Sequence, residues 1–278
     1  MSQELLSIEK LKICKGTGDN KVVVKVDECI QLKCHDVLCV LGRSGVGKST
    51  FLHWLAGVLD IMQPEFRSGE EVGETVVDLN TAKRVSTTSL VFQKDNLYPF
   101  MSIAENIMHI AGRRASEKLE EEIRSNPIME ALLSKVKDRF RDMPGEISGG
   151  ERQCVALAKA IRKKRPILIL DEALGSIDIE RRGDVIDALI HWVQEERETR
   201  AIVAVSHDVD FIPHATRFMF VGSKGTQSAL AGEQNDPLKL IREAYLADGK
   251  GAERGVGEDL KFLNQLDSLI HGHISAAK

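Results

Sequence analysis

Residues Gly42-Arg43-Ser44-Gly45-Val46-Gly47-Lys48-Ser49 place three glycines, a lysine and a hydroxyl at the spacing of a phosphate cradle. Backbone N–H groups of such a loop point inward and, with the N-terminus of a following helix, hold phosphate oxygens. Lys48 reaches the terminal phosphates, and the Ser49 hydroxyl can ligate Mg2+. A second pair, Asp171-Glu172, ends the apolar run Ile167-Leu168-Ile169-Leu170. Beside a P-loop, the first acid helps to hold Mg2+, and the second can orient or deprotonate a water that attacks the terminal phosphate. Two adjacent carboxylates repel each other without a cation nearby. A third turn, Ser148-Gly149-Gly150, opens a helix with an N-capping serine and forms a second anion-binding N-terminus. A chain with two such cradles either binds two anions or lends its second cradle to another copy's nucleotide.

These groups need strands to deliver them and helices to receive phosphate. Val37-Leu38-Cys39-Val40-Leu41 is a short apolar run before the P-loop, and Thr50-Phe51-Leu52-His53-Trp54-Leu55-Ala56 is helical in pattern after it. Lys21–Val26 is β-branched, Ser89-Leu90-Val91-Phe92 is a second apolar run, and Ala201-Ile202-Val203-Ala204-Val205 another. Continuous apolar runs of this length fit parallel strands buried on both faces. Helical patterns occupy 101–140, the stretch after Gly150 and 180–197. Strands alternating with helices predict an α/β fold: a P-loop NTPase core with a parallel sheet, a β-rich N-terminal subdomain and a helical subdomain at about 94–161. The predicted organisation is an ATPase domain over 1–222 and a short helical extension over 223–278. In the extension, Leu260, Leu263, Leu266, Leu269 and Ile270 recur at helical spacing.

The chain has 278 residues, 42% of them hydrophobic and only 5% aromatic, so its core is mainly aliphatic. A formal net charge of -4 argues against a generally basic nucleic-acid binder, and no nucleic-acid partner is expected. No apolar run approaches the length needed to span a bilayer, and Met1–Leu6 lacks the pattern of a signal peptide. Cys29, Cys34 and Cys39 sit five residues apart, which is not a zinc spacing, so Cys14, Cys29, Cys34, Cys39 and Cys154 read as free thiols of a reducing compartment. The run Arg162-Lys163-Lys164-Arg165 reads as a solvated loop. His35, His53, His109, His191 and His214 carry no motif and receive no role.

Over roughly residues 5 to 222 the chain resembles the ATP-binding cassette (ABC) ATPase family. The P-loop matches; the family signature, Leu-Ser-Gly-Gly-Gln, has its counterpart in Ile147-Ser148-Gly149-Gly150-Glu151; and the Walker B strand with its acid is Ile167–Glu172. Gln93, within Val91–Leu97, is similar to the Q-loop glutamine, Gly175-Ser176-Ile177-Asp178 to the D-loop, and His207 to the switch histidine. The stretch Leu97–Asn106 and the turn Pro144-Gly145-Glu146 are similar to transporter subunits of the prokaryotic import type. The resemblance implies ATP and Mg2+ as cofactors and an energy-coupling subunit of a membrane transporter, working as a head-to-tail dimer with ATP sandwiched between copies. It implies that Gly42, Arg43, Ser44, Gly45, Val46, Gly47, Lys48, Ser49, Thr50 and Gln93 bind nucleotide. Ser148, Gly149, Gly150 and Glu151 then act on the other copy's ATP, and Asp178 lines the dimer seam. Ser49, Gln93 and Asp171 hold Mg2+. Glu172, His207 and Lys48 are the implied catalytic residues. Tyr98, Phe100 and Met101 are implied to meet the transmembrane permease subunits, which would keep the chain at the inner face of the cell membrane.

The chain departs from the family in four places. Glu151 stands for the usual Gln, and Ala173 for the usual Pro. No aromatic residue precedes Phe51, so the adenine-stacking residue is missing; Ile13 or Cys14 lies near its position. The tail is shorter than the regulatory domain of some import subunits. Two alternatives stay open: a soluble ABC ATPase acting on DNA or ribosomes, and another P-loop class such as a GTPase or small-molecule kinase. The second leaves Ser148-Gly149-Gly150 unexplained and lacks an Asn-Lys-x-Asp base-reading motif.

Overall fold

A computed structural model of the chain describes residues 3–15, 21–26, 29–59, 66–68, 76–77, 81–94, 96–195, 197–205, 209–222, 225–230, 237–248 and 262–268. His207, Leu260, Leu269 and Ile270 lie outside the described residues.

The strands that carry chemistry are those read as buried runs. β4 (Val37–Leu41), β8 (Ile167–Asp171) and β9 (Ala201–Val205) are buried at every position. With β7 (Thr88–Val91) and β10 (Arg217–Gly222) they form a parallel sheet, and β11 (Gly225–Leu230) adds one antiparallel edge. The strand order is β11-β10-β4-β9-β8-β7. The carboxyl ends of parallel strands are where open α/β sheets bind ligands. Here those ends deliver Gly42 after β4 and Asp171 on β8, with only β9 between them.

A second, antiparallel sheet is built on β1 (Glu4–Lys15). It pairs with β2 (Lys21–Val26), β3 (Ile30–Lys33), β5 (Phe66–Ser68) and β6 (Val76–Val77). This sheet and α1 (Lys48–Leu55) cover one face of the parallel sheet. Side chains alternate accordingly: Leu38, Val40, Ile167, Ile169, Ala201 and Val203 join that core. Val37, Cys39, Leu41, Leu168, Leu170, Ile202 and Ala204 point the other way, into a second core with the helices. The period of two in a strand is what sends consecutive residues to opposite cores.

α2 (Thr81–Thr87) lies against the end of α1, with Arg84 4.0 Å over the Trp54 ring, and the helical side comprises α3 (Ile103–Met108), α4 (Arg113–Ser125), α5 (Pro127–Leu133), α6 (Gly149–Arg162) and α7 (Ile179–Gln194). The single helical pattern read over 101–140 is thus three short helices. The breaks follow local chemistry: His109 adopts a left-handed conformation (φ 53°) at the end of α3, and Asn126 caps α5 ahead of Pro127. On α4 the charged Glu117, Lys118, Glu120 and Glu121 face solvent, with Ala115 and Leu119 turned inward. The basic run is a solvated loop only at its exposed middle, Lys163 and Lys164. Arg162 ends α6 and pairs with Glu122 (3.0 Å), and Arg165 donates to the Thr88 carbonyl (2.6 Å). All five cysteines are free thiols.

Beyond β11, α8 (Pro237–Asp248) and helical residues 262–268 return to the helical-side core. Ala244, Tyr245, Phe262 and Leu266 are buried there, and Arg242 pairs with Asp267 at 2.6 Å. Among the described residues, no helix is long and apolar enough to cross a membrane.

Candidate functional site

The loop between β4 and α1 is forced into shape at Gly42. Its φ is +147°, and a Cβ there would stand 2.3 Å from the Val221 carbonyl oxygen on β10. Only glycine fits so close an approach. The N-cap of α1, Gly47, offers no side-chain cap, so the first-turn amides keep their capacity for an anion. Lys48 is buried, and its ammonium donates to the carbonyls of Gly42 (2.8 Å) and Arg43 (2.9 Å). The cation is thus stored on the loop's own backbone, within reach of phosphates.

Ser49 and Asp171 meet although 122 residues separate them: the Ser49 hydroxyl donates to Asp171 Oδ1 at 2.9 Å. These hard oxygen donors fit Mg2+, which binds through one or two protein oxygens plus phosphates and water. A cage made by protein alone is absent, since no cluster of three or more His, Cys, Asp or Glu occurs among the described residues. Glu172 sits next, in a left-handed backbone conformation (φ 53°) fixed by its N–H donating to the Val205 carbonyl (3.0 Å). A non-glycine residue held there costs on the order of 1 kcal/mol and commonly marks a working position. Gln93 Nε2 donates to Glu172 Oε2 at 2.7 Å. Lys48, Ser49, Gln93, Asp171 and Glu172 therefore converge at one end of the parallel sheet.

Three contacts at this site lie outside the sequence reading. His53 is buried and its Nε2 donates to Asp171 Oδ2 (3.1 Å), so the carboxylate is gripped on both oxygens. Its Nδ1 is buried without a hydrogen-bond partner and its ring packs against the Phe92 ring at 5.4 Å, so the proton toward Asp171 is placed on Nε2. Assigning His53 no role was incorrect. Its place on α1 in register with Ser49, four residues earlier, was the available signal. Gln153 on α6, almost fully buried, donates to the Phe92 carbonyl (2.8 Å), and Lys159 on the same helix donates to the Asn96 carbonyl (3.2 Å). Helix α6 thus holds the backbone on both sides of Gln93. Burial, assisted by Lys163, lowers the Lys159 ammonium to about 8. Tyr245 on α8 donates its hydroxyl to the Gly42 carbonyl at 2.6 Å.

The Ser148 turn is arranged differently. Ser148 caps α6, accepting from the Glu151 N–H (3.2 Å) while Glu151 Oε2 accepts from the Ser148 N–H (2.8 Å). Those hydrogen bonds hold the Glu151 carboxyl below its usual range, with Arg139 and Arg181 adding to the effect. Gly150 lies against the loop after Asp171, where a Cβ would stand 2.8 Å from the Ser176 carbonyl oxygen. Gly149 has ample room. Asp178 is exposed at the start of α7 and the neighbouring Ile179 is 84% exposed. This turn is not brought into contact with the P-loop of the same chain by any of these bonds.

Near Gln93, the buried Asn106 side chain pins the turn that presents Phe100. Its amide donates to the carbonyls of Tyr98 (3.0 Å) and Met101 (2.9 Å), and its oxygen accepts from the Tyr98 N–H (2.7 Å). Phe100 is 92% exposed and Tyr98 53%. At the other end, Ile13 and Cys14 point into the core, so neither offers a face to a nucleotide base.

Residues 29–175, more than half of the chain, match the family model described as ABC transporter. The thiamine import ATP-binding protein ThiQ of Photobacterium profundum is 27% identical over 74% of this chain and 83% of its own length. The phosphate import ATP-binding protein PstB of Thermococcus kodakarensis is 29% identical over 72% of this chain and 80% of its own. The macrolide export ATP-binding/permease protein MacB of Aggregatibacter actinomycetemcomitans is 29% identical over 77% of this chain, which spans only 33% of that protein. Among solved structures, the dimeric post-hydrolysis state of the ATP-binding cassette MJ0796 bound to ADP and Pi superposes with a TM-score of 0.64 at 21% identity, covering 81% of this chain and 98% of that one. With a parallel sheet, an antiparallel N-terminal sheet, a helical side and a P-loop in the family's order, the chain belongs to the ABC transporter family and is an ATP-binding, ATP-hydrolysing domain of it.

Proposed function

We propose that the chain is the energy-coupling ATPase of an importer and works at the inner face of the membrane as a head-to-tail dimer around two ATP molecules. The observation that carries this reading is the Gln93–Glu172 hydrogen bond of 2.7 Å, set beside an exposed apolar turn. Tyr98 follows Gln93 by five positions, and Phe100 stands on a turn that Asn106 pins. A transmembrane partner seated on Tyr98, Phe100 and Met101 would therefore press on the residue that touches the proposed catalytic carboxylate. Import is favoured because ThiQ and PstB, both named for import, match over at least four-fifths of their lengths, while MacB matches over a third.

Gly42 through Thr50 grip the phosphates, with Lys48 moving from its carbonyl partners to the terminal groups. Ser49, Gln93 and Asp171 would hold Mg2+, which neutralises phosphate charge when bound. Glu172 orients and deprotonates the attacking water, and His207 holds that water and the terminal phosphate in register. Ser148 through Glu151 close on the partner copy's nucleotide, and Asp178 lines the seam. Positioning and charge neutralisation supply the rate, so hydrolysis waits for the closed dimer. The relative MJ0796 has been solved as a dimer with ADP and Pi, which supports this assembly. Residues 1–222 form the ATPase domain in this reading, with the helical subdomain at about 94–161 and 223–278 as an extension.

Affinity purification of the tagged chain from detergent-solubilised membranes tests the reading. A multi-spanning protein should accompany the wild type and be lost with Phe100→Asp. In liposomes, an extracytoplasmic solute-binding protein should stimulate the ATPase of that complex. Recovery of ribosomes or DNA, or stimulation only by solute on the ATP side, would overturn it.

A further inference from the structure

Gly42 is the pivot of the P-loop, and its buried carbonyl accepts from two donors of opposite fates. One is Lys48 Nζ at 2.8 Å, the other Tyr245 Oη at 2.6 Å, from a residue 203 positions away. Lys48 is the group that turns toward the terminal phosphates when nucleotide arrives. Tyr245 has no such freedom. Its ring stacks on Phe262 (5.1 Å, 29°) and meets the Phe220 edge (5.4 Å, 64°), and it is 3% exposed. Phe220 is the register partner of Leu41, the residue before Gly42, so the ring rests on the strand that buttresses the loop. The Arg242–Asp267 pair at 2.6 Å fastens α8 to helical residues 262–268. Phenylalanine would fill the same space at Tyr245, so the hydroxyl needs a polar reason to be there, and the Gly42 carbonyl supplies one.

We propose that Tyr245 is a positioning residue for ATP binding: it keeps the Gly42 carbonyl hydrogen-bonded once Lys48 has left for the phosphates. The nucleotide-free loop has both donors, and the loaded loop depends on Tyr245. The C-terminal helices are therefore thermodynamically linked to the nucleotide, and by reciprocity ATP tightens their hold on the loop. The inference rests on the ATPase assignment and is independent of transport direction.

The test uses the full chain with Tyr245→Phe, ATP-binding isotherms, steady-state kinetics and amide exchange. Losing one buried neutral hydrogen bond in the loaded state should weaken ATP binding roughly three- to tenfold. KM should rise by the same factor while kcat at saturating ATP stays within about twofold, since the hydroxyl touches no reacting atom. ATP should slow amide exchange in α8 of the wild type and do so much less in the variant. Phe262→Leu, which keeps the hydroxyl and removes the stacked ring, should lower the melting temperature more and ATP affinity less. Unchanged or tighter ATP binding by Tyr245→Phe overturns the proposal. So does a larger affinity loss in Phe262→Leu, which would make packing of the helices the cause.

Discussion

Around Gly42–Ser49 the partners arrive from far along the chain, whereas the turn at Ser148–Glu151 supplies its own. The P-loop is approached by Val221, Asp171 and Tyr245, all far from it in sequence, and its cation is stored on its backbone. The Ser148 turn closes on itself through a reciprocal capping box, and a side chain at Gly149 would meet only Arg152 Nη2, at 3.8 Å. One site is built by the fold of a single chain. The other is complete as a helix end and, among the described residues, neither of its capping hydrogen bonds ties it to the P-loop, which agrees with the proposed head-to-tail dimer.

Mixing variants attacks this contrast most directly. Lys48→Ala and Ser148→Arg should each lower ATPase activity more than about a hundredfold on their own. Equal mixtures, co-refolded or co-expressed, should recover roughly a quarter of wild-type turnover, because half the dimers then hold one intact composite site. Absence of recovery would place both turns in one chain's reaction.

Methyl groups probe the same contrast at the next level. Gly42→Ala drives a Cβ into the Val221 carbonyl and should abolish ATP binding along with much of the stability. Gly149→Ala meets nothing closer than Arg152 Nη2 at 3.8 Å, so folding and ATP binding should persist, or stability rise by about 0.5–1 kcal/mol. Its ATPase should nonetheless drop at least about tenfold if a phosphate must approach that backbone. Melting curves, isotherms and phosphate release separate the two variants.

His53 tests how far the P-loop leans on the positioning of Asp171, which reaches Ser49 from 122 positions away. His53→Leu should weaken metal-dependent binding about 10- to 100-fold, read by Mn2+ titration of the ATP complex, while His53→Gln restores much of it by donating to Asp171 again. The smallest effect belongs to the self-closed turn. The Glu151 carboxyl is held below its ordinary range, so its contribution to the helix cap is present at neutral pH and is lost as pH falls through the depressed value. Glu151→Gln should cost only about 0.5 kcal/mol at pH 7 and abolish that acid-side dependence, measured by amide exchange at the start of α6.

The same contrast governs what the sequence made legible. The P-loop, the Asp171-Glu172 pair and the Ser148 cap are strings of neighbouring residues whose types have a local meaning, and the buried runs of β4, β8 and β9 announced the parallel sheet that carries them. Gln93 was readable because the family motif names it. The Asp171 grip by His53 and the Gly42 grip by Tyr245 span 118 and 203 positions, where no spacing rule applies. Helix α6 looked like a signature followed by an apolar stripe. That Gln153 and Lys159 fasten it to the backbone around Gln93 depends on how α6 lies across β7, which is a tertiary fact. The basic run after Ile161 misled at its two ends for a related reason: charge alone does not reveal that Glu122 meets Arg162 and the Thr88 carbonyl meets Arg165.

The parallel sheet is a shared wall between two separate cores. Residue 38 of β4 belongs to one and residue 39 to the other, and the pattern repeats along β8 and β9. Substitutions in cores that share no side chains add rather than couple. The helical side, which carries the exposed Phe100 turn, can therefore vary where its side chains reach neither the Gln93 segment nor Gly42, whereas Gln153, Lys159 and Tyr245 tie that side to the nucleotide end of the sheet. Such a wall lets most of the packing on one face change its company, while these few ties keep that face in step with the chemistry.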